Sequence, residues 1–183
     1  MDLEKQYKNW LLVGGTGRNI GKTTAAEQFI NKLSQEVPVV GIKISKELPD
    51  EFPYHGEHPL LLNKHFLIME EKDATGRKDS MRFLRAGARR SFFIVCKDEF
   101  LNEAFNVLEK LLKPEDYVVC ESNGLRRIMK PGIFVMIKGE DSGKRKLDVL
   151  LSLADEILPA LNRGALIEFT EKIRIQNGSL NYP

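Results

Sequence analysis

Short apolar runs and amphipathic stretches alternate along the chain, and their periods predict its secondary structure. Residues 10–13 form an uninterrupted apolar run that stops at two glycines, which is typical of a buried strand. Residues 22–33 repeat apolar side chains at spacings of three and four, which predicts an amphipathic helix. The same criteria predict further strands at 37–44, 66–69, 91–96, 117–120, 132–137, 156–158 and 172–175, and further helices at 79–88, 99–112 and 146–153.

The order of these elements predicts the fold class. Strands that alternate with helices of this length form βαβ units, which build a mainly parallel sheet. We therefore expect a three-layer α/β fold in which residues 1–183 form a single domain. Sheets of this kind bind ligands at the carboxyl ends of their strands, so the polar residues that directly follow each apolar run are the candidates for a site. The weakly periodic stretch 45–64 predicts a long loop, in which His55 and His58 are minor candidates for metal binding.

Composition and charge exclude several classes of protein. The chain has 183 residues, and its 28 Lys and Arg against 26 Asp and Glu give a formal net charge of +2, which does not favour a nucleic-acid partner. The longest apolar runs are far shorter than the roughly 20 residues that cross a membrane, and no targeting segment is visible. Cys96 and Cys120 each end an apolar run, as reduced core thiols do. We expect a cytoplasmic protein with no membrane partner.

The most informative motif follows the first predicted strand and reads Gly14-Gly15-Thr16-Gly17-Arg18-Asn19-Ile20-Gly21-Lys22-Thr23-Thr24. Glycines let a backbone turn tightly with its N–H groups facing inward, and the N-terminus of the next helix adds a positive dipole. This pattern predicts a phosphate loop in which residues 15–24 bind a nucleotide, Lys22 reaches the terminal phosphates and the Thr23 hydroxyl contacts Mg²⁺. The alternative is a glycine-rich turn with a surface lysine, and for Arg18 phosphate contact and solvent exposure both stay open.

Charged residues after other strands are candidates to complete this site. Glu121 ends an apolar strand before a polar turn, where a second acidic motif would hold Mg²⁺; a solvated strand-end glutamate is the alternative. Asp79 has two alternative roles: it is the N-cap of its predicted helix, or its carboxylate coordinates metal or water. One residue can fill both roles. Because Lys43 lies at the carboxyl end of the second strand, we expect its ammonium to face the ligand crevice, where a cation suits an anionic partner.

Four segments together resemble the molybdopterin-guanine dinucleotide biosynthesis protein B family, in the dethiobiotin synthetase-related branch of phosphate-loop NTPases. They are Gly-Thr-x-x-x-x-Gly-Lys-Thr at 15–23, Gly41-Ile-Lys43, the helix with Lys78-Asp79-Ser80, Arg82 and Ala86-Gly87-Ala88, and the turn Glu121-Ser-Asn-Gly124. The resemblance covers residues 10–137. Thr16 stands where the strict phosphate-loop pattern has glycine. The chain departs from the family at Ser122, which replaces the glycine after Glu121, and at Ile44 and Ser45, where the family has histidines.

The resemblance implies a fold and a set of roles. It implies the phosphate-loop NTPase fold, GTP as the nucleotide with ATP as the alternative, and Mg²⁺ shared by Thr23, Asp79 and Glu121. It implies catalytic roles for Lys22 and Asp79, and a homodimer. It places Asn162 where this branch often has a base-contacting asparagine. Independently of the resemblance, the charges of Lys43 and Arg82 make them candidates to contact an anionic substrate, with a solvated basic face as the alternative for Arg82.

Three functional hypotheses remain open at the level of sequence. The first is a Mg²⁺-dependent GTP-binding protein with slow NTPase activity that assists assembly of the molybdenum cofactor, with molybdopterin or a cofactor-assembly protein as partner. The second is an ATP-dependent ligase or kinase of the dethiobiotin synthetase type, with a small acid held near Lys43. The third is a nucleotide-gated adaptor that delivers a metal cofactor. Fast ATP consumption with a small acceptor would distinguish the second from the others.

Overall fold

The computed structural model describes residues 5–46, 61–62, 64–140 and 145–183, which contain ten strands, five α-helices and two short 3₁₀ helices, Asp98–Phe100 and Leu125–Arg127. The strands are β1 (Gln6–Gly15), β2 (Val39–Ser45), β3 (Leu61–Leu62), β4 (Phe66–Glu71), β5 (Arg90–Cys96), β6 (Tyr117–Glu121), β7 (Lys130–Lys138), β8 (Glu156–Pro159), β9 (Arg174–Gln176) and β10 (Ser179–Asn181). The helices are α1 (Lys22–Leu33), α2 (Asp79–Arg85), α3 (Leu101–Leu111), α4 (Arg145–Ser152) and α5 (Arg163–Lys172). His55, His58 and most of the predicted loop 45–64 lie outside the described residues.

Eight of the strands form one sheet in the order β3-β4-β5-β2-β6-β1-β7-β8. The strands from β5 to β8 in this order are parallel, whereas β4 runs antiparallel to β5 and β3 antiparallel to β4. The remaining strands, β9 and β10, form a separate antiparallel pair. The prediction of a mainly parallel sheet is confirmed, and the predicted short strand at 66–69 is its antiparallel member β4.

Helices cover both faces of the sheet, because the central strands bury side chains on each side. Leu11 and Val13 of β1 pack into a core with α1, α2 and α5. Trp10 and Leu12, which alternate with them, pack into a second core with α3 and Leu150 of α4. Strands that are buried on both faces are apolar along their length, which is why they were visible in the sequence. The three-layer α/β arrangement is confirmed.

The predicted helix 79–88 is shorter than expected and begins differently. Lys78 occupies the N-cap position and Asp79 is the first helical residue, so the prediction that Asp79 is the N-cap is wrong. Its carboxylate still lies in the first turn, where a negative charge favours the helix dipole. The helix ends early because Gly87 takes a left-handed conformation (φ 109°). The N–H of Gly87 donates a hydrogen bond to the Leu84 carbonyl, and the N–H of Ala88 donates one to the Phe83 carbonyl.

The C-terminal region departs most from the sequence prediction. Residues 163–172 form helix α5, which the sequence pattern does not predict. The strand predicted at 172–175 is present but begins two residues later, because the helix continues through Lys172. The strand that follows, β9, begins at Arg174 and turns through Asn177 and Gly178 into β10. None of the helices in the described ranges is long and apolar enough to cross a membrane.

Gly132 provides a test of the packing between the two most extensively paired strands. A Cβ atom at Gly132 would lie 2.2 Å from the Lys8 carbonyl oxygen, where the β1–β7 register shifts. Backbone cannot move aside as a flexible side chain can, so Gly132→Ala is expected to lower the free energy of unfolding by about 2–3 kcal/mol. Urea denaturation measures this loss. Gly164→Ala in α5 is the control, because its Cβ would meet nothing closer than 3.5 Å; an equal effect of the two changes would contradict the account.

Candidate functional site

The carboxyl ends of three adjacent central strands bring charged residues to one level of the sheet. Glu121 at the end of β6 pairs in register with Val13 of β1 on one side and with Lys43 of β2 on the other. Strand β6 is the middle one of the three because the chain returns to insert it between β1 and β2. The residues that follow β1 and β6 therefore meet at the same edge.

A glycine-rich loop (residues 14–21) leads from β1 into α1 at this edge. Its backbone turns through two left-handed residues, Asn19 (φ 56°) and Gly21 (φ 97°), and Gly21 is the N-cap of α1. Within the described structure, α1 begins without a side-chain cap and without an acidic residue in its first turn. The N-terminus of a helix in this state has amide groups and a dipole suited to an external anion.

Lys22 folds back over the glycine-rich loop. Its ammonium donates a hydrogen bond to the Gly17 carbonyl. The stem of Lys22 packs directly on the Gly15 backbone, since a Cβ at Gly15 would lie 2.7 Å from the Lys22 Cδ. Burial lowers the pKa of the Lys22 ammonium, whereas the Glu121 carboxylate acts in the opposite direction. The lysine is thus held over the loop that it is predicted to serve.

Two further contacts fix the position of the loop on the sheet. Asn123, after β6, donates its amide N–H to the Gly15 carbonyl (2.9 Å) and accepts from the Gly15 N–H (2.7 Å). Thr16 donates its N–H to the Ile137 carbonyl (3.0 Å), and its hydroxyl accepts from the Gly139 N–H (2.9 Å). The start of the loop is therefore tied to the ends of both β6 and β7.

Four side chains beside the loop form a carboxylate–lysine cluster, which consists of Thr23, Lys43, Asp79 and Glu121. The Lys43 ammonium lies 2.6 Å from Glu121 Oε1 and 2.8 Å from Asp79 Oδ2, so one cation joins two carboxylates. The Thr23 hydroxyl donates to the other Glu121 oxygen, Oε2, at 2.8 Å. These are residues predicted for the metal and substrate, and the structure brings them together from α1, β2, α2 and β6.

The cluster is mostly withdrawn from solvent. The side chain of Glu121 is 3% exposed and that of Lys43 is 18% exposed, whereas Asp79 is 30% exposed. Burial acts to lower the pKa of Lys43, but the Glu121 and Asp79 carboxylates outweigh it and the pKa is raised. The two carboxylates therefore favour the charged form of Lys43, whose ammonium contacts the buried Glu121 directly.

Arg82 is held next to the cluster by a different partner. Its guanidinium donates two hydrogen bonds to the Glu27 carboxylate of α1, at 2.9 Å and 2.6 Å. A second, longer ion pair joins it to Asp79 Oδ1 at 3.6 Å. This bidentate geometry fixes α2 against α1. The predicted substrate contact by Arg82 stays a prediction.

A cleft of about 820 Å³ opens beside the loop and the cluster. Its volume is in the range of small-molecule sites, roughly 300–1,000 Å³. Residues at or after the ends of four strands and residues from three α-helices line it: Thr16, Gly17, Arg18, Lys22, Lys43, Ile44, Ser45, Lys46, Cys96, Asp98, Leu101, Glu121, Ser122, Asn123, Gly124, Arg127 and Leu147. Within this lining, Asp98 forms ion pairs with Lys46 and Arg127. The cleft is therefore lined by residues of the loop, by residues of the cluster and by a separate, partly exposed ion-pair group.

The oxygen atoms of the cluster suit Mg²⁺, but they do not form a complete metal site by themselves. No group of three or more His, Cys, Asp or Glu side chains that could hold a metal ion occurs among the described residues. Mg²⁺ usually takes one or two carboxylates and completes its shell with phosphate oxygens and water. Asp79, Glu121 and the Thr23 hydroxyl fit that pattern.

The remaining predicted residues lie around this edge. Asn162 is the N-cap of α5, where its side chain accepts from the Ala165 N–H at 3.0 Å. It lies beside the glycine-rich loop, because the N–H of Leu161 donates to the Ile20 carbonyl at 3.3 Å. Arg18 and Thr24 are exposed. The roles predicted for these residues in nucleotide binding stay predictions.

The sequence did not reveal the residues that support the loop and shape the turn after β6. Asn123, which joins the loop to β6, lies in a polar turn that the sequence marks, but without a role. The Ser122 hydroxyl accepts from the N–H groups of Gly124 and Leu125, both at 3.2 Å, and shapes the same turn. Their position directly after a buried strand was the available signal.

Comparison with known proteins adds no assignment: no family model, no curated protein and no solved structure matches this chain.

Proposed function

We propose that this protein binds a purine nucleoside triphosphate together with Mg²⁺ at the glycine-rich loop and hydrolyses it slowly. GTP is the proposed nucleotide. The carboxylate–lysine cluster beside the loop carries this proposal, because it places hydroxyl, carboxylate and ammonium groups next to an uncapped helix N-terminus. Anions are favoured at such a terminus, and the phosphoryl groups of a nucleotide need nearby cations.

Each side chain has a role that its position supports. The backbone N–H groups of the loop and the first turn of α1 would cradle the phosphates, and Lys22 would exchange the Gly17 carbonyl for a phosphate oxygen. Thr23, Asp79 and Glu121 would hold Mg²⁺, which neutralises the charge that develops on the phosphates. In hydrolysis a water oxygen bonds to the terminal phosphorus as the bond to the bridging oxygen breaks.

We further propose that the nucleotide reaction serves assembly of the molybdenum cofactor, with molybdopterin or an assembly protein as the partner. This step rests on the sequence resemblance. A pterin phosphate is a suitable anion for the cleft, since Lys43, Lys46 and Arg127 line it. A homodimer and a cytoplasmic location are proposed on the same resemblance.

The turnover of the isolated protein tests this function. Release of inorganic phosphate from GTP and from ATP should be slow and should require Mg²⁺. Rapid ATP consumption that starts only when a small carboxylic acid is added would instead establish the ligase or kinase alternative. That alternative has one observation in its favour, which is that the cleft of about 820 Å³ is lined by basic residues other than Lys22, among them Lys43 and Arg127.

The preference for the base is a separate prediction. GTP is expected to compete with a fluorescent nucleotide more effectively than ATP does, in a displacement assay with Mg²⁺ present. The control is the same assay with EDTA, in which both nucleotides should bind more weakly because the carboxylates then lack a bridging cation. Tighter binding of ATP than of GTP would contradict the choice of GTP.

Asp79→Asn is expected to weaken Mg²⁺-dependent nucleotide binding by about tenfold, about 1.4 kcal/mol. The change removes a charge that lies 2.8 Å from the Lys43 ammonium and keeps the shape of the side chain. Nucleotide affinity is measured with Mg²⁺ and with EDTA, and only the first value should change. Asp148→Asn is the matched control, since Asp148 is also an acidic residue in the first turn of its helix. Unaltered Mg²⁺ dependence in Asp79→Asn would remove Asp79 from the metal site.

A further inference from the structure

The Lys43 ammonium occupies the position that a metal ion would share with Asp79 and Glu121. It lies 2.6 Å from an oxygen of Glu121 and 2.8 Å from an oxygen of Asp79. Mg²⁺ binds its oxygen ligands at about 2.0–2.1 Å. An ammonium and a divalent ion placed between the same two carboxylates would be within a few ångströms of each other and would repel strongly in this partly buried setting.

The carboxylates of the cluster have hydrogen-bond or ion-pair partners within the protein and do not need a metal ion to balance their charge. The second oxygen of Glu121 accepts from the Thr23 hydroxyl at 2.8 Å, so both oxygens of the buried carboxylate have a partner. Asp79 has Lys43 and, at longer range, Arg82. A buried carboxylate that is paired in this way has little to gain from a hydrated metal ion alone, because the ion would have to displace a tethered cation.

A nucleotide would change that balance. Its phosphates bring several negative charges to the glycine-rich loop, and Lys43 lines the same cleft as Lys22. The Lys43 side chain could then exchange a carboxylate oxygen for a phosphate oxygen without leaving the site. The exchange would free oxygens of Asp79 and Glu121 for a metal that arrives with the phosphates.

We infer that Lys43 couples metal binding to nucleotide binding: it excludes divalent cations from the nucleotide-free protein and frees the carboxylate pair when phosphates arrive. This inference rests on the proposed function, but the exclusion of metal is a property of the protein without nucleotide. Lys43 thereby acts as a positioning residue for Asp79 and Glu121, in addition to any contact with substrate.

Mn²⁺ binding to the nucleotide-free protein tests the inference, since electron paramagnetic resonance measures free Mn²⁺ directly. Lys43→Met, which keeps the length of the side chain and removes its charge, is expected to bind Mn²⁺ at least about tenfold more tightly than the wild type. Lys32→Met is the control, because Lys32 is also an ammonium paired with a carboxylate, that of Glu171, but lies in the last turn of α1 and outside the lining of the cleft. It should bind Mn²⁺ as the wild type does.

The double variant Lys43→Met/Glu121→Gln identifies the ligand and should lose the gained affinity. Equal Mn²⁺ affinity of Lys43→Met and wild type, or a gain that survives in the double variant, would overturn the inference. If Lys43→Met does not fold, Lys43→Gln gives the same comparison with hydrogen-bond donors retained.

A nucleotide titration separates this inference from the proposed function. If the wild type binds GTP with Mg²⁺ while Lys43→Met shows no gain in Mn²⁺ affinity, the inference is overturned and the function stands. If the gain is observed but neither GTP nor ATP binds, exclusion of metal by Lys43 is supported, whereas coupling to a nucleotide and the proposed function are rejected.

Discussion

Lys22→Ala is expected to weaken the binding of nucleoside triphosphate by at least about tenfold, about 1.4 kcal/mol, without unfolding the domain. The lysine is the cation that lies over the glycine-rich loop, and its hydrogen bond to the Gly17 carbonyl keeps it there before a nucleotide binds. Removal of the ammonium takes away the charge that faces the terminal phosphates, whereas the loop retains the hydrogen bonds from Gly15 to Asn123 and from Thr16 to the Ile137 carbonyl. Isothermal titration calorimetry measures the affinity.

Lys32→Ala is the matched control for this change. Lys32 lies in the last turn of the same helix and pairs with Glu171, away from the loop. Its replacement should leave nucleotide affinity as in the wild type, and thermal melts of both variants report any loss of stability. If Lys22→Ala and Lys32→Ala bind the nucleotide equally well, the loop is not a phosphate site.

Glu121→Gln is expected to reduce Mg²⁺-dependent nucleotide affinity by about a hundredfold, about 2.8 kcal/mol. The carboxylate is 3% exposed, so its charge acts through surroundings that screen it poorly. It contacts both Lys43 and the Thr23 hydroxyl, and no other acidic residue in the described ranges is placed to join these two. Affinity for GTP, with Mg²⁺ and with EDTA, measures the loss.

Glu109→Gln controls for the removal of a carboxylate that accepts two hydrogen bonds. Glu109 accepts from Lys5 at 2.6 Å and from the Tyr7 hydroxyl at 2.5 Å, near the start of β1. Its replacement should leave nucleotide binding unchanged. A Glu121→Gln protein that keeps the wild-type difference between Mg²⁺ and EDTA would show that Glu121 does not serve a metal.

The elements of the sheet were predictable because they are buried on both faces. Residues 10–13 and 117–120 lie at the centre of the sheet, where β1 and β6 are neighbours, and their apolar runs reflect packing against two layers of helices. Helix α1 has the predicted bounds, since its apolar residues face a single core. The runs do not show where strands end, so most strands are longer than predicted.

The C-terminal elements were harder to predict because their patterns are weak. Helix α5 buries only Leu166, Phe169 and Thr170, and the exposed Ile167 interrupts the polar face that an amphipathic helix would have. The pair β9–β10 did have a local signal, which is the dipeptide Asn177-Gly178. Both residues take positive φ angles, as a tight hairpin turn requires.

The sequence indicated which residues lie at the ligand-binding edge of the sheet, but not which of them contact each other. Glu121 ends an apolar strand and Lys43 lies near the carboxyl end of another, and this placed both at the ligand-binding edge. Their contact depends on β6 lying next to β2, although the two residues are 78 positions apart in the chain. No local pattern reports that a single ammonium joins Glu121 to Asp79, or that Asn123 ties the turn after β6 to Gly15.

A calorimetric titration of the wild-type protein with GTP and with ATP, each with Mg²⁺ and with EDTA, tests the central claim most directly. The claim is that the glycine-rich loop and the carboxylate–lysine cluster together form a site for a nucleoside triphosphate and its metal. The predicted result is saturable binding of one nucleotide per chain, tighter with Mg²⁺ than with EDTA and tighter for GTP than for ATP. Absence of binding by both nucleotides under both conditions, in protein shown by its thermal melt to be folded, would contradict the claim.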